Sequence, residues 1–462
     1  MQVCAFCAAG LGDVSALTPD TAERAASVRE IAWDEIARPI QDLLVGRGIT
    51  GDGFSAHVSD LRRRNQARMR EGDLDHLVYY VLQSSSFTGL PVIEPAESAA
   101  QFVGGLPAAD RARFAAGQHV SIDRIPAPAR ARIGAFAAAL NPVGSNARLS
   151  YFRDLLHQER SDTASVEALL CVEYARAMRF LYEKEFADKA RASLAKTVLY
   201  QARGLSTDTS VDAGFVVYLA LGALRQLEPN RQIQRVLIIG PGLDLAPRTG
   251  LDETGPPQSY QPFAVMDALF RTALADPTTL RVSAVDINPR VVTWLRSVRG
   301  TAPRLALHSG ISETAQVRLT DDYRTYFASL GETVGVVRPV RGAGGSPRMA
   351  KSLQVSPTVT TVVDAALLDI TVERLDERYD LIVVTNVFPY LSDPELLLAL
   401  SNVVRMLKPG GVLLHNEPRP LLADATLALG LPLIHARSAV VATVERGPSP
   451  LYDSIWIHRA SD

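Results

Sequence analysis

Glycines and a carboxylate follow two predicted strands in the C-terminal half of the chain, where they could bind a ligand. The apolar run 236–239 leads directly into Gly240 and Gly242, which are separated by one residue. β-branched residues suit a buried parallel strand, and glycine lets the backbone turn sharply and approach a ligand closely. A second apolar strand, 281–285, delivers Asp286 at its carboxyl end, where an acid can accept hydrogen bonds from ribose hydroxyls. Together these motifs predict a ligand that contains a nucleoside.

A purely structural explanation of the same residues stays open. Gly240 and Gly242 can simply make a tight turn after the strand, and Asp286 can cap the helix that is predicted to begin near Pro289.

Alternating strands and helices after residue 230 position these motifs. Strands are predicted at 235–239, 281–285, 360–369, 381–384, 412–416, 438–445 and 454–459. Helices are predicted at 211–227, 263–274, 289–298 and 394–407. This alternation predicts an α/β fold with a parallel sheet, and the last two strands add an antiparallel hairpin at its edge.

The N-terminal half has a different pattern. Apolar residues recur with helical spacing at 21–36, 74–82 and 165–182, and the stretch 89–145 is rich in Gly, Pro and Ala, as expected of a surface connection or short helices. We therefore predict two domains, a mainly helical one at 1–203 and an α/β one at 204–462, with an insertion at 308–356.

Composition limits the class of function. The chain has 462 residues, 47% of them hydrophobic, and a formal net charge of −2, which argues against a nucleic-acid partner. Cys4 and Cys7 have CxxC spacing but no second pair to complete a zinc site. No apolar run is long enough to span a membrane, so we expect a cytoplasmic protein. Residues 3–12 resemble the end of a secretory signal, and an exported form is the alternative if the chain begins upstream of Met1.

Five motifs in order resemble those of a class I S-adenosylmethionine-dependent methyltransferase. They lie at 236–242, 284–286, 367–370, 379–387 and 407–414. The resemblance covers the last 230 or so residues and implies a seven-stranded Rossmann-like domain with an antiparallel C-terminal hairpin. It does not extend to the N-terminal half.

The resemblance also implies a role for each matching residue. The glycine loop would pass under the methionine and ribose portion of the cofactor, the acid of the second motif would bind the ribose, and the acid of the third would accept from the adenine amino group. The fourth motif would line the floor beneath the sulfonium. The implied cofactor-binding residues are Gly240, Pro241, Gly242, Asp244, Asp286, Ile287, Asp369, Ile370, Asn386 and Val387.

This chain departs from the family pattern at two places. Ile238 stands where an acid is usual, and Asp244 stands where a third glycine is usual. Recognition of the cofactor's ammonium group would then fall to Asp244, Asp252 or Glu253, since an ammonium group needs a nearby carboxylate.

Catalytic residues are less well defined. Asn386 and Tyr390 are candidates from the fourth motif, although aromatic packing explains Tyr390 equally well. Methyl transfer mainly requires alignment of the acceptor, and a base only when the acceptor must lose a proton. The sequence indicates no convincing base and no metal-ligand spacing.

Two flexible-looking segments could border the site. The small polar residues 206–209 are expected to cap the helix that follows them, or alternatively to close over a ligand as a lid. The insertion carries Arg338, Arg341, Arg348 and Lys351 among glycines. It is expected to be a mobile solvated loop, with an anion-binding flap as the alternative.

The leading hypothesis is therefore a methyltransferase that uses S-adenosylmethionine and modifies a small molecule or a protein side chain. A non-catalytic or degenerate binding protein with the same fold is the alternative, and an aminopropyltransferase resembling spermidine synthase ranks below both. The sequence gives no indication of the oligomeric state.

Overall fold

A computed structural model describes residues 27–116, 118, 121–141, 143–156, 162–186, 198–245, 253–340, 348–445 and 451–461. The predictions about residues 3–12, Cys4, Cys7, Arg341 and Asp252 lie outside these ranges.

Helices dominate the described part of the chain before residue 230. In chain order they are α1 (Arg38–Val45), α2 (Phe54–Gln83), α3 (Pro95–Gly104), α4 (Ala108–Ala115), α5 (Ala127–Ala139), α6 (Ala147–Leu156), α7 (Thr163–Phe186) and α8 (Ala213–Leu227). The stretch 89–145 forms short helices, as one of the two expectations had it. The last part of α2, from Leu74 to Leu82, surrounds one apolar core together with residues of α3 to α7.

The strands form three sheets, and the smallest of these contains the short N-terminal strand. They are β1 (Val28–Glu30), β2 (Arg235–Ile239), β3 (Arg281–Asp286), β4 (Arg304–His308), β5 (Val317–Leu319), β6 (Gly335–Pro339), β7 (Ala350–Val355), β8 (Val363–Leu367), β9 (Glu373–Leu375), β10 (Tyr379–Val384), β11 (Leu407–His415), β12 (Leu433–Val444) and β13 (Leu451–Arg459). The remaining helices are α9 (Gln261–Arg271), α10 (Pro289–Val298), α11 (Asp321–Ser329), α12 (Pro357–Thr361), α13 (Asp393–Met406) and α14 (Pro420–Ala428).

The main sheet has the order β5-β12-β13-β11-β10-β2-β3-β8. Strands β11, β10, β2, β3 and β8 are parallel neighbours, whereas β13, β12 and β5 are antiparallel to theirs. The α/β fold class is confirmed. The sheet has eight strands rather than the predicted seven, because β5 of the insertion pairs with β12 at the edge.

Where it is described, the insertion forms strands and a helix rather than the expected loop, and residues 341–347 lie outside the described residues. Strands β4, β7 and β6 form a separate antiparallel sheet, and α11 packs its buried Tyr323, Tyr326 and Phe327 into the main core. Lys351 is 6% exposed and donates to the backbone carbonyl groups of Ala328 and Leu330 at the end of α11, at 3.1 and 2.5 Å. Burial lowers the pKa of this amine to about 8. Its charge therefore caps a helix rather than binding an anion.

The first described residues belong with the sheet. Val28–Glu30 pairs antiparallel with Glu373–Leu375, so the predicted helix at 21–36 was wrong for the described residues from 27 onward. Buried residues from Ile31 to Leu61 then pack against one face of the main sheet rather than in the helical core. Pairing with a distant strand has overridden a local helical pattern. The division near residue 203 stays a prediction.

Within the described ranges, no helix is both long enough and apolar enough to cross a bilayer.

Candidate active site

A cavity lies at the carboxyl ends of β2, β3, β8 and β10, where ligands bind in parallel α/β sheets. Most of the residues predicted from the sequence line it, namely Gly240, Gly242, Asp286, Ile287, Asp369, Ile370, Asn386, Val387 and Tyr390. Its volume is about 80 Å³, below the roughly 300 Å³ at which pockets for small molecules begin.

The glycine loop uses conformations that other residues rarely adopt. Gly240 and Gly242 have φ values of +70° and +65°. A Cβ atom on Gly240 would lie 2.5 Å from Cγ2 of Val387, and one on Gly242 would lie 2.4 Å from the carbonyl oxygen of Thr207. Both the left-handed backbone and the lack of space therefore require glycine here.

Asp286 is 4% exposed and faces the glycine loop. Its carboxylate accepts from the backbone N–H groups of Gly242 at 3.1 Å and Asn288 at 2.8 Å. Burial raises the pKa of this carboxyl to about 7. The cap of α10 is Asn288, whose side chain accepts from the N–H of Arg290, so Asp286 is not the capping residue.

Asp369 receives a hydrogen bond from the N-terminal half of the chain. Its Oδ2 atom accepts from Nδ2 of Asn65 at 3.0 Å, and its Oδ1 atom accepts from the N–H and the hydroxyl of Thr371. Asn65 lies on α2, is 1% exposed and lines the cavity. Its Oδ1 atom is buried and has no hydrogen-bond partner. A buried amide oxygen without a donor is costly, which is one reason to expect a ligand beside it.

Residues 204–210, here called the connecting segment, lie against the glycine loop. The N–H of Thr209 donates to the carbonyl of Leu243 at 2.9 Å, and the N–H of Leu243 donates to the carbonyl of Thr207 at 2.8 Å. The helix that follows begins at Ala213 with Asp212 as its cap residue and has no side-chain capping bond. The expected capping role of residues 206–209 was therefore wrong.

Helix α2 holds the connecting segment from the other side. The backbones touch at Gly72, where a Cβ atom would lie 1.9 Å from the carbonyl oxygen of Leu205. Asp73 is 1% exposed, and its carboxylate accepts from the hydroxyl of Thr207 and from Nδ2 of Asn288, both at 3.1 Å. Burial raises the pKa of Asp73 to about 6.

A histidine of the same helix reaches the segment one turn further on. His76 is 7% exposed, and its Nε2 atom lies 2.7 Å from the hydroxyl oxygen of Ser206. Burial lowers the pKa of the imidazole, which favours its neutral form.

Asn386 has a strained backbone after β10, with φ at +59°. Its N–H donates to Oδ1 of Asn416 at 2.9 Å, and Nδ2 of Asn416 donates back to its side-chain oxygen at 2.7 Å. Such strain often marks functional sites. Tyr390 ends a 3-10 turn, Phe388–Tyr390, and its ring meets Tyr200 edge to face at 5.6 Å.

A second and larger cavity adjoins the first. Its volume is about 700 Å³, and α2, α7 and the strand ends of the main sheet line it. Four residues form part of the wall of both cavities, namely Ser206, Asp208, Asn386 and Tyr390. The two spaces therefore meet at the ends of β10 and the connecting segment.

Some predicted residues lie outside the cavity walls. Pro241 and Asp244 do not line the first cavity. Glu253 is 8% exposed and accepts from the hydroxyl groups of Ser84 and Ser85 near the end of α2.

The sequence did not predict the contributions of α2 to the site, because polar residues on a long helix form no motif.

The comparisons with known proteins concern the same half of the chain. A family model described as a methyltransferase domain matches residues 326–415, which include Asp369, Asn386 and Tyr390 but neither the glycine loop nor Asp286. No curated protein matches the chain by sequence.

Solved structures of methyltransferases resemble part of the chain at low identity. N-methyltransferase NodS from Bradyrhizobium japonicum WM9, in complex with S-adenosyl-L-homocysteine, is 16% identical, with a TM-score of 0.27 over 53% of this chain and 86% of that one. Magnesium protoporphyrin IX methyltransferase from Synechocystis PCC 6803, with bound SAM, is 10% identical, with a TM-score of 0.28 over 61% and 94%. A 1,6-didemethyltoxoflavin-N1-methyltransferase from Burkholderia thailandensis is 11% identical, with a TM-score of 0.26 over 53% and 79%.

Proposed function

We propose that this protein, whose residues 326–415 match a methyltransferase-domain model, has a class I methyltransferase domain in its C-terminal half and transfers a methyl group from S-adenosylmethionine to a small molecule or a protein side chain. The observation that carries the proposal is the set of three carboxylates, Asp208, Asp286 and Asp369, in the wall of one cavity beside the glycine loop. The cofactor has three polar parts that such acceptors suit: an ammonium group, ribose hydroxyls and an adenine amino group.

We assign one of these parts to each carboxylate. Asp286 is the last residue of β3, lies beside Gly242, and would accept from the ribose hydroxyls. Asp369 follows β8, the edge strand of the main sheet, and would accept from the adenine amino group, and the unpartnered Oδ1 of Asn65 would accept its second N–H. Asp208 lies in the connecting segment over the glycine loop and would face the ammonium group.

Asp208 is also relevant to Ile238, which stands where family members usually have an acid. That side chain is fully buried in β2, so it points into the sheet core and not toward a ligand. An acid supplied by the connecting segment would compensate for the missing acid of β2. This supports a binding-competent domain over a degenerate one.

The first cavity must widen to hold a nucleoside. We propose that the connecting segment moves, as in the lid interpretation, and that it moves together with α2. This movement would break the backbone bonds between the segment and the glycine loop, and it would keep the bonds of Thr207 and Ser206 to Asp73 and His76 of the helix.

When bound, the sulfonium supplies an electrophilic methyl group, and the chain's own residues orient the acceptor and exclude water. An aminopropyltransferase is disfavoured, because those enzymes carry an acid where this chain has Thr385 and Asn386. The hydroxyl of Thr385 is buried and accepts from Nε2 of Gln261 at 2.6 Å.

Calorimetric titration with S-adenosylmethionine and S-adenosylhomocysteine tests the proposal. We expect micromolar binding by the wild type and none by Asp286→Ala. The matched control is Asp276→Ala, which removes an exposed aspartate whose side chain accepts from the N–H and the hydroxyl of Thr278 in the same turn. A folded wild-type protein that binds neither compound would refute the methyltransferase function of the isolated chain.

A further inference from the structure

We propose that the second cavity binds the methyl acceptor, that the acceptor is a small aromatic molecule with an ionisable hydroxyl group, and that Ser206 passes the hydroxyl proton to His76. This inference rests on the proposed function, since it assigns the acceptor side of the same site.

The second cavity lies next to the cavity that we assign to the cofactor. It lies beyond the carboxyl ends of β10 and β11, where Asn386 and Asn416 follow these strands, and beside Asp453 of β13. Its volume of about 700 Å³ falls within the roughly 300–1,000 Å³ of small-molecule pockets. Because Asn386, Tyr390 and the connecting segment belong to both walls, a ligand here would abut one in the first cavity.

Aromatic rings on one wall indicate the acceptor class. Phe180 of α7 meets Tyr200 edge to face at 5.7 Å, and Tyr200 meets Tyr390 in the same way at 5.6 Å. Tyr79 of α2 also lines this cavity. Ring pairs gain energy from offset or edge-to-face contact, so a planar aromatic ligand suits such a wall.

We assign the role of proton acceptor to His76. Nε2 of His76 lies 2.7 Å from the hydroxyl oxygen of Ser206, and both residues line the second cavity. The charged groups that face the imidazole are Asp208, Asp75 and Arg203. Burial lowers the pKa of the imidazole and favours the neutral form, whose Nε2 can accept the serine proton while the serine oxygen accepts one from a ligand, and the charges of Asp208 and Asp75 favour the imidazolium ion that results.

The groups already named account for every proton, bond and charge in the reaction. The acceptor hydroxyl gives its proton to the oxygen of Ser206, and the serine proton passes to Nε2 of His76. A bond forms between the acceptor oxygen and the methyl carbon as the bond from that carbon to the sulfonium sulfur breaks. The products are a methyl ether, a neutral thioether and an imidazolium ion.

The test uses 4-nitrophenol, whose anion absorbs visible light, and the full-length protein saturated with S-adenosylhomocysteine. We expect the phenol to bind and to ionise at lower pH on the wild type than on His76→Gln, with an ionisation constant roughly tenfold larger on the wild type. Glutamine can still hydrogen-bond Ser206 but cannot take up a proton. Ser206→Ala should lose the same effect.

The matched control is His57→Gln, which changes another histidine of α2 that lies outside both cavities. It should behave as the wild type does. An unchanged ionisation constant in a folded His76→Gln protein would overturn the role of His76, and failure of 4-nitrophenol to bind the loaded wild type would overturn the acceptor site. Failure of S-adenosylhomocysteine itself to bind would instead refute the proposed function.

Discussion

Asn65 offers the sharpest test of the cofactor site, because it lies on α2, outside the residues that the methyltransferase-domain model matches. The change is Asn65→Leu, which keeps the approximate size of the side chain and removes both its donor and its acceptor. The proposal gives the adenine amino group two acceptors, one on Asp369 and one on Asn65. S-inosylhomocysteine carries a carbonyl oxygen in place of that amino group and would face both acceptors unfavourably.

The expected magnitude follows from one neutral hydrogen bond. Such a bond contributes about 0.5–1.5 kcal/mol, so its loss should lower the preference for S-adenosylhomocysteine over S-inosylhomocysteine roughly 2- to 10-fold. The assay is calorimetric titration of each variant with both compounds. The ratio of the two dissociation constants is the quantity of interest, because a general loss of stability would affect both compounds alike.

Asn402→Leu is the matched control. Asn402 is also fully buried, donates through Nδ2 to the carbonyl of Ile370 at 2.8 Å, and has an Oδ1 atom without a partner, but it does not line the cavity. Its variant should keep the wild-type ratio. If Asn65→Leu binds both compounds with the wild-type ratio, Asn65 does not recognise the nucleobase.

Three other sets of variants test separate parts of the structure. Gly242→Ala should destabilise the protein by about 1–3 kcal/mol in thermal melts and weaken S-adenosylhomocysteine binding, because its φ is +65°, whereas Gly222→Ala in open space on α8 should not be destabilising. Arg132 is 1% exposed and donates to four backbone carbonyl groups, so Arg132→Met should lower the free energy of unfolding in urea by about 3 kcal/mol or more, and Arg132→Lys should lose less. The folded-state pKa values of Asp73 and Asp286, raised from 3.8 to about 6 and about 7, mean that the folded protein binds these protons more tightly than the unfolded chain does. The free energy of unfolding should therefore fall as pH rises from about 4 towards 7, by up to about 1.4 kcal/mol per pH unit for each carboxyl, and replacing either aspartate by asparagine should flatten that dependence.

Most of the residues that the sequence placed in one site lie in one cavity, at the ends of parallel strands. Gly240, Asp286, Asp369 and Asn386 come from four stretches of chain, yet each ends or follows a strand of the main sheet. Parallel strands end at a common edge, so the order of strands alone brings these residues together. This part of the site required only correct identification of the strands.

The contribution of α2 could not be found in the same way. Asn65 and Asp73 contact residues 304 and 215 positions away along the chain, and these contacts depend on how the helical half docks on the sheet. The local sequence around them predicts a helix and nothing more. The prediction for Lys351 in the insertion was wrong for a related reason. The glycines and charges of the insertion suggested a loop, whereas Lys351 caps a helix through backbone carbonyl groups.

The spacing of polar residues on α2 has a consequence for how ligands influence each other. Asn65 and His76 are eleven positions apart on one helix, which corresponds to about 16 Å along its axis. Asn65 lines the cavity proposed for the nucleobase and His76 lines the cavity proposed for the acceptor, so we expect a tilt of the helix to alter both. Such coupling is reciprocal as a matter of thermodynamics. A phenol that tightens the binding of S-adenosylhomocysteine by some factor must itself bind more tightly, by the same factor, to protein that already holds the nucleoside.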